Sequence, residues 1–491
     1  MAEVTYRRRR RHGRTVYDES PLRSVGRGGV LALFLFLLLV SPLPMGANRD
    51  WAWSPMVVAI GAIAALGGVF GGPGAFVAPA ERKPLLWLIG VFALFLLLAL
   101  LQVSPLAPAA GSAAFYAHAR EILGHAHAAV PSIAPDASYD TLLRCLACAL
   151  FFLVGRALCR DDRAARLLLM TLLVSAIIVA AYGIYMQVST HSCYLGGFLK
   201  KQGHYDPASD RCLMSGTFVS PNNYACYLGM AVVSAFALLF GDSQARRDYA
   251  YDDDEEDDHP WLTGTRLALG AVALLCLGGI LISGSRAGFA ATVAGVIALG
   301  YLLVRGKENF RTYVRRAALA AVLIGLVVGV IAGGSLLRKT VASSNNFNRV
   351  VVWRISLDAV AQSPLLGWGL GSYPDVYAIH QPATIIMPND KAHSTPIEVL
   401  VEMGIPGGIA AMALVVIPWW ICLAAALRQR RQRYLVAAGF AVVAVPILHS
   451  LVDFSLQIPA IAFVVSAFLG MGWGQAFPDD SPPDEGFTEE S

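Results

Sequence analysis

Two arginines and one histidine lie at or near the ends of long apolar segments. Arg286 follows a Ser-Gly-Ser turn and begins an apolar run, Arg349 lies in a long loop, and His393 directly precedes another apolar run. A guanidinium presents a rigid fork of N–H donors that matches a phosphate group. An imidazole can take a proton near neutral pH and can therefore deprotonate a hydroxyl. These side chains predict chemistry between a phosphate-bearing group and an activated hydroxyl.

The two arginines also admit plainer interpretations. Taken alone, Arg286 could anchor its segment on lipid headgroups, although a charge at membrane depth favours a functional role. Trp353 is four residues after Arg349, so the two share a face of a helix, whereas Arg354 is offset. Arg354 is either a third phosphate ligand or a cation that only reaches towards the membrane surface.

Acidic residues follow His393 inside the next apolar segment. Glu402 is the deeper of them, and an ionised carboxylate at that position needs a partner. We expect Glu402 to pair with an arginine and position it, with Glu398 as the alternative in that role. His393 by itself could simply bond within its loop, and the nearby carboxylates favour a role in chemistry.

A second polar patch consists of His449, Asp453 and Gln457. His449 and Asp453 are four residues apart, so the two side chains can touch if the segment is helical. We expect this patch to support the main site rather than to react itself.

The elements that must position these residues are membrane helices. The chain has 491 residues, of which 56% are hydrophobic and 15% charged, and apolar runs long enough to cross a bilayer recur along most of it. This composition excludes a soluble enzyme and predicts an all-α polytopic membrane protein. Twelve spans are predicted, near residues 30–47, 55–73, 85–103, 139–155, 167–188, 223–240, 265–282, 287–304, 317–335, 397–427, 434–452 and 458–477.

The basic residues indicate an orientation. If the N-terminus is cytoplasmic, every inside segment carries Lys or Arg, as the positive-inside rule requires. Both termini are then cytoplasmic, and the candidate site faces outward. The predicted organisation is a basic N-terminus, an N-terminal bundle, a second membrane domain containing a long outside loop, and an acidic, disordered tail: residues 1–28, 29–188, 189–477 (with the loop at 336–396) and 478–491.

Local patterns refine this picture. The stretch from Phe347 to Ala361 is predicted to be an amphipathic helix that ends at Pro364 and lies over a cavity. Gly404 and the neighbouring Pro406 permit the tenth span to kink or to pack closely.

Cysteines, histidines and acids do not form a metal-binding pattern. Cys193 and Cys212 share one outside loop, where an oxidising compartment would allow a disulfide, and both the bonded and the free state remain open. The acidic run at residues 252–258 is interpreted as a solvated loop. His118 and its two neighbouring histidines lack companion acids at ligand spacing, so we expect no metal.

Five motifs, in this order, resemble the O-antigen ligase and O-antigen polymerase superfamily of bacterial envelope glycosyltransferases. The resemblance covers about residues 215–475. The motifs read Gly216-Thr217-Phe218 with Asn222-Asn223-Tyr224-Ala225, Ser285-Arg286-Ala287-Gly288, Arg349 with Trp353, Pro364-Leu365-Leu366-Gly367-Trp368-Gly369-Leu370-Gly371, and His393 with Glu402-Met403-Gly404.

The resemblance implies a reaction and roles. Members join the reducing-end sugar of an undecaprenyl-diphosphate-linked glycan to an acceptor hydroxyl at the periplasmic side of the inner membrane, with no nucleotide sugar and generally no metal. Arg286 and Arg349 would hold the diphosphate and His393 would serve the acceptor. The other expected substrate-binding residues are Ser285, Asn222, Asn223, Trp353, Arg354 and Glu402. No cofactor and no nucleic acid are expected, and other polysaccharide assembly proteins are candidate partners.

The shared motifs do not separate three activities within the superfamily. These are polymerisation of repeat units, ligation to lipid A-core, and O-oligosaccharide transfer to protein. The segment 449–460 looks more like members linked to exopolysaccharide clusters and favours polymerisation. A lipid-linked oligosaccharide transporter is the alternative of another class, but it should place charges near mid-membrane and show related halves. A purely structural subunit would leave Arg286, Arg349 and His393 on one side unexplained.

Overall fold

The structure is a computed structural model. The structure describes residues 9–11, 14–16, 21–70, 77–108, 111–124, 129–189, 204–206, 211–249, 260–305, 344–382, 389–428 and 433–477. Several of the sequence-based predictions lie outside these ranges. They concern the ninth span at 317–335, the acidic run at 252–258, the C-terminal tail and the Cys193 partner of the suggested disulfide.

Helices form nearly all of the described chain. They are α1 Pro21–Val40, α2 Asp50–Phe70, α3 Pro79–Gln102, α4 Ala113–Leu123, α5 Pro135–Leu158, α6 Asp162–Ser189, α7 Pro221–Tyr249, α8 Pro260–Ser283, α9 Arg286–Val304, α10 Ser344–Gln362, α11 Tyr373–His380, α12 Thr395–Arg428, α13 Arg433–His449 and α14 Pro459–Ala476. Two short antiparallel hairpins pair β1 Arg9–Arg11 with β2 Arg14–Val16, and β3 His204–Asp206 with β4 Arg211–Leu213.

The membrane architecture follows the apolar pattern of the sequence. Within the described ranges, nine helices are long and apolar enough to cross a bilayer, and shorter apolar helices cover Ser24–Val40 and Tyr434–His449. These eleven segments coincide with eleven of the twelve predicted spans. The all-α polytopic class is therefore confirmed, while the count of twelve stays a prediction.

Helices α7, α13 and α14 form the buried centre of the bundle, because most of their described residues are buried. Close backbone approach explains the packing of α14 on α5, since a Cβ on Gly470 would lie 2.2 Å from the Phe152 carbonyl oxygen and one on Gly155 would lie 2.8 Å from that of Ala467. Small residues at helix contacts permit this approach, which is a common way for membrane helices to associate.

A buried ionic cluster joins α3, α5 and α14 at one end of the bundle. The Glu81 carboxylate accepts hydrogen bonds from Arg156 and Arg160, and from the Trp473 indole at 2.7 Å. Glu81 is fully buried. Such a charge is tolerated because it is paired and hydrogen-bonded.

The tenth predicted span kinks at Gly404, as expected. Gly404 has φ of +66°, and the turn exposes backbone groups of α12 to the loop after α10. The Ile405 N–H donates to the Pro364 carbonyl at 2.7 Å, and the Gly369 N–H donates to the Glu402 carbonyl at 2.9 Å. A Cβ on Gly367, whose φ is +67°, would lie only 2.4 Å from that Glu402 oxygen. Glycine is therefore required where the loop docks on the kink.

The predicted amphipathic helix in the long loop is α10, and it ends two residues before Pro364. Its apolar side packs on the loop and on α11, where the Trp368 indole donates to the Ala359 carbonyl at 2.9 Å. Ser356 and Tyr373 hydroxyls are also 2.9 Å apart. These contacts fix α10 on the loop and on α11, and the same apolar cluster includes Ile397 and Val401 of α12.

Candidate active site

Asp453, in the turn between α13 and α14, is the point where the predicted site residues meet. Its Oδ2 lies 3.6 Å from Nη2 of Arg349, and its Oδ1 lies 3.7 Å from Nδ1 of His393. The Asn222 amide donates to Oδ2 at 2.6 Å. One carboxylate thus contacts the start of α7, the loop helix α10 and His393, which lies just before α12.

The surroundings of Asp453 favour its ionised form. Burial acts to raise the pKa of this carboxyl, but His393, His449 and the Phe454 backbone N–H together lower it below its ordinary value. The Phe454 N–H donates to Oδ1 at 2.8 Å. Asp453 is fully buried, so its negative charge is little screened by water and acts strongly on the Arg349 guanidinium and on the facing His393 ring.

His393 is held in a defined orientation. Its backbone has φ of +51°, a left-handed conformation that is uncommon outside glycine. The ring packs edge-on against Phe454 with centroids 5.3 Å apart, and 32% of the side chain is exposed. Because Nδ1 faces Asp453, Nε2 is the nitrogen that can meet a substrate.

Arg286 begins α9 at the same end of the bundle. Its side chain is exposed and makes no hydrogen bond or ion pair with other described residues. A Cβ on Gly288 would lie 2.7 Å from Cβ of Ala225, so α9 packs closely on α7 one turn below Asn222. This packing brings the start of α9 beside the helix that contacts Asp453.

Ser285 has a structural contact in the present arrangement. It caps α9, and its hydroxyl accepts from the Gly288 N–H at 3.2 Å while its own N–H donates to the Ser283 hydroxyl at 3.2 Å. The serine therefore shapes the turn that presents Arg286.

Trp353 and Arg354 point to different surroundings. The Trp353 indole donates to the Ala392 carbonyl at 2.9 Å, next to His393. Arg349 and Trp353 thus face the same region, as their spacing predicts. Arg354 is exposed and has no hydrogen-bond or ionic partner among the described residues.

Asn223 turns away from its neighbour Asn222 into a buried polar layer. Its Oδ1 accepts from the Ser455 hydroxyl at 2.9 Å, and that same hydroxyl lies 2.7 Å from Nδ1 of His449. The spacing of His449 and Asp453 suggested direct contact, but the turn after α13 directs His449 to Ser455 instead. This layer supports the turn that carries Asp453.

The two carboxylates of α12 do not pair with arginine in the described part of the chain, contrary to the expectation. Glu398 accepts from Lys391 Nζ at 3.0 Å and from the Ala392 N–H at 2.8 Å. Glu402 accepts from the Tyr373 N–H at 3.3 Å. The physical reason is the kink at Gly404, which docks the loop on α12 and brings the N-terminus of α11 to Glu402.

Sequence reasoning placed Asp453 in a supporting role and gave no role to Lys391. The available signal for Asp453 was an acid in a short turn between two apolar spans, which is costly without a partner. Among the described residues, no group of three His, Cys, Asp or Glu side chains is arranged to hold a metal ion.

A family model described as O-antigen ligase matches residues 271–412. The match confirms the resemblance to the O-antigen ligase and O-antigen polymerase superfamily, a family of membrane glycosyltransferases. It contains Arg286, Arg349 and His393, whereas Asn222 and Asp453 lie outside the matched segment. No curated protein matches the chain.

Proposed function

We propose that this protein transfers a glycan from an undecaprenyl-diphosphate donor to an acceptor hydroxyl at the periplasmic face of the bacterial inner membrane. The observation that carries the proposal is the convergence of Arg349 and His393 on the single buried carboxylate of Asp453. A phosphate-binding cation and a proton acceptor are thereby held side by side, which is what the transfer needs.

The donor side of the reaction belongs to Arg286 and Arg349. Both guanidiniums are accessible, since Arg286 is exposed and 30% of the Arg349 side chain is exposed. Breaking the bond between the anomeric carbon and the phosphate oxygen leaves the electron pair on the lipid diphosphate. Fixed cations stabilise that developing charge more in the transition state than before it.

The acceptor side belongs to His393. The acceptor oxygen attacks the anomeric carbon while Nε2 takes the hydroxyl proton, and Asp453 stabilises the resulting imidazolium through Nδ1. Attack opposite the leaving diphosphate inverts the anomeric centre. Arginine supplies the charge stabilisation in this scheme, and no metal is invoked.

Polymerisation of repeat units is the activity we propose within this class. It is supported by the resemblance of residues 449–460, which carry Asp453, to members linked to exopolysaccharide clusters. Ligation to lipid A-core and O-oligosaccharide transfer to protein use the same chemistry with another acceptor. Loss of polymer with single lipid-linked units retained in a deletion strain supports polymerisation, whereas accumulated unattached polymer supports ligation.

The decisive experiment is a transfer assay with purified protein and a lipid-diphosphate-linked glycan. His393→Ala should lose turnover while donor binding survives, and Arg286→Ala should lose donor binding as well. His118→Ala and Arg120→Ala are matched controls, because both side chains are exposed on α4. Normal transfer by both site variants would overturn the proposed function.

A further inference from the structure

Ala392, the residue before His393, is fixed by hydrogen bonds on both of its backbone polar groups. Its N–H donates to Oε2 of Glu398 at 2.8 Å, and its carbonyl accepts from the Trp353 indole at 2.9 Å. Ala392 itself is fully buried. Its backbone is therefore tied to α12 through Glu398 and to α10 through Trp353.

These bonds hold a backbone conformation that a histidine rarely adopts. His393 has φ of +51°, and such a conformation persists only where the surrounding structure enforces it. On the following side, the Thr395 N–H donates to the Ser450 carbonyl at 2.9 Å. His393 is therefore fixed between Ala392 and Thr395, and its ring direction depends on both.

The position of Glu398 and its pairing with a lysine suit it to hold the Ala392 backbone. It lies in the first turn of α12, and 2% of its side chain is exposed. Lys391 Nζ lies 3.0 Å from Oε1, which leaves Oε2 for the Ala392 N–H. The buried Glu398 carboxylate is tolerated because it is paired with a lysine and accepts two hydrogen bonds. These charge-assisted bonds also fix its orientation.

We propose that Glu398 and Trp353 are positioning residues that orient His393 through Ala392 without touching either substrate. The inference rests on the proposed function of His393. It gives Trp353 a role different from the substrate contact that the family resemblance implies, because its indole donor is occupied by the Ala392 carbonyl.

Two substitutions each remove one of the two bonds to Ala392. Trp353→Phe retains an aromatic ring but has no N–H donor, and Glu398→Ala removes the acceptor for Ala392. Each should lower kcat by about tenfold or more with little change in KM for the donor, because the orientation of a reacting group affects turnover. Glu398→Gln keeps a carbonyl oxygen that can accept from the Ala392 N–H, so it should retain more activity than Glu398→Ala.

Controls and a double variant separate positioning from general damage. Trp87→Phe and Glu121→Ala alter strongly exposed side chains and should keep wild-type kcat. The double variant of Glu398 and Trp353 should lose less than the product of the single losses, since both act on the same residue. If Glu398→Ala does not fold, Trp353→Phe decides the question.

The possible failures are distinguishable. Normal turnover by His393→Ala overturns the proposed function. The positioning inference then fails too, because His393 would not be a reacting group that needs orientation. Loss in His393→Ala combined with wild-type kcat in Trp353→Phe and Glu398→Ala overturns the positioning inference alone. An effect of Trp353→Phe and Glu398→Ala that is confined to a raised donor KM also overturns the positioning inference, because the two residues would then act on the substrate.

Discussion

Asn222 donates its amide hydrogen to Asp453 at 2.6 Å, and the two residues are 231 positions apart in the sequence. The bond joins the first turn of α7 to the turn before α14, and both of these helices are largely buried in the bundle. Because the Asp453 carboxylate also faces Arg349 and His393, this bond fixes the carboxylate that both side chains contact.

Asn222→Asp should impair transfer more than Asn222→Ala. The aspartate would put a second carboxylate beside Asp453, and like charges at this distance oppose each other's ionisation. We expect transfer by Asn222→Asp to fall at least about tenfold, equivalent to about 1.4 kcal/mol in the barrier. Initial rates with the lipid-diphosphate donor measure this, and equal rates for the two variants would contradict it.

Asp453 should contribute to stability in a pH-dependent way. Its pKa is lowered in the folded protein. A carboxyl of this kind contributes stability that is fully present above its unfolded pKa of about 3.9 and is lost as the pH falls through the lower folded value. The difference in Tm between wild type and Asp453→Asn should therefore be largest near neutral pH and shrink in acid.

The same measurement on Asp358→Asn provides the control. Asp358 is exposed on α10, so its substitution should give a small Tm difference at every pH. A difference between wild type and Asp453→Asn that stays constant as the pH falls below 3.9 would argue against an ionised, stabilising Asp453.

Helices and their local features were predictable because the signals are local in sequence. Apolar run length gave the spans, the spacing from Phe347 to Ala361 gave α10, and Gly404 gave the kink in α12. The partners of Glu402 and Glu398 were not predictable. They depend on how the loop at Gly367 docks on the kink, which is a contact between distant segments.

The central position of Asp453 was hidden for the same reason. In the sequence it is one acid in a polar patch, and its partners Asn222, Arg349 and His393 come from three other segments. Only packing of α7, α13 and α14 reveals that they meet. The arginines and the histidine could be proposed as site residues from the sequence, because charge in an apolar context is informative without knowledge of contacts.

Gly367→Ala should destabilise the protein more than Gly124→Ala. Both glycines have positive φ, so both variants carry backbone strain of about 1 kcal/mol. At Gly367 the added Cβ would also lie 2.4 Å from the Glu402 carbonyl oxygen, whereas nothing lies within 4 Å at Gly124. We expect a further loss of about 1–3 kcal/mol at Gly367. Thermal unfolding of both variants measures this, and equal Tm values would contradict the docking of the loop on the kink.

The proposed orientation predicts opposite labelling of two exposed positions. His118 on α4 and Arg163 on α6 are exposed and lie on either side of α5. In a background without other reactive cysteines, His118→Cys should react with a membrane-impermeant thiol reagent in intact spheroplasts. Arg163→Cys should react only after permeabilisation. Labelling of both from one side would contradict the orientation and the periplasmic placement of the site.

Arg349 and Arg354 should differ sharply in their effect on the donor. Arg349 lies 3.6 Å from Asp453 on the side of α10 that faces His393, whereas Arg354, five residues later, is exposed and rotated away. Arg349→Ala should abolish detectable transfer and weaken donor binding. Arg349→Lys should retain only part of the wild-type transfer rate, because lysine lacks the planar fork of arginine. Arg354→Ala should weaken donor binding, seen as a raised donor KM, by a smaller factor than Arg349→Ala does. Arg120→Ala should leave the transfer rate and the donor KM unchanged. Equal losses from Arg349→Ala and Arg354→Ala would show that charge near the membrane surface, and not the geometry at Asp453, governs donor binding.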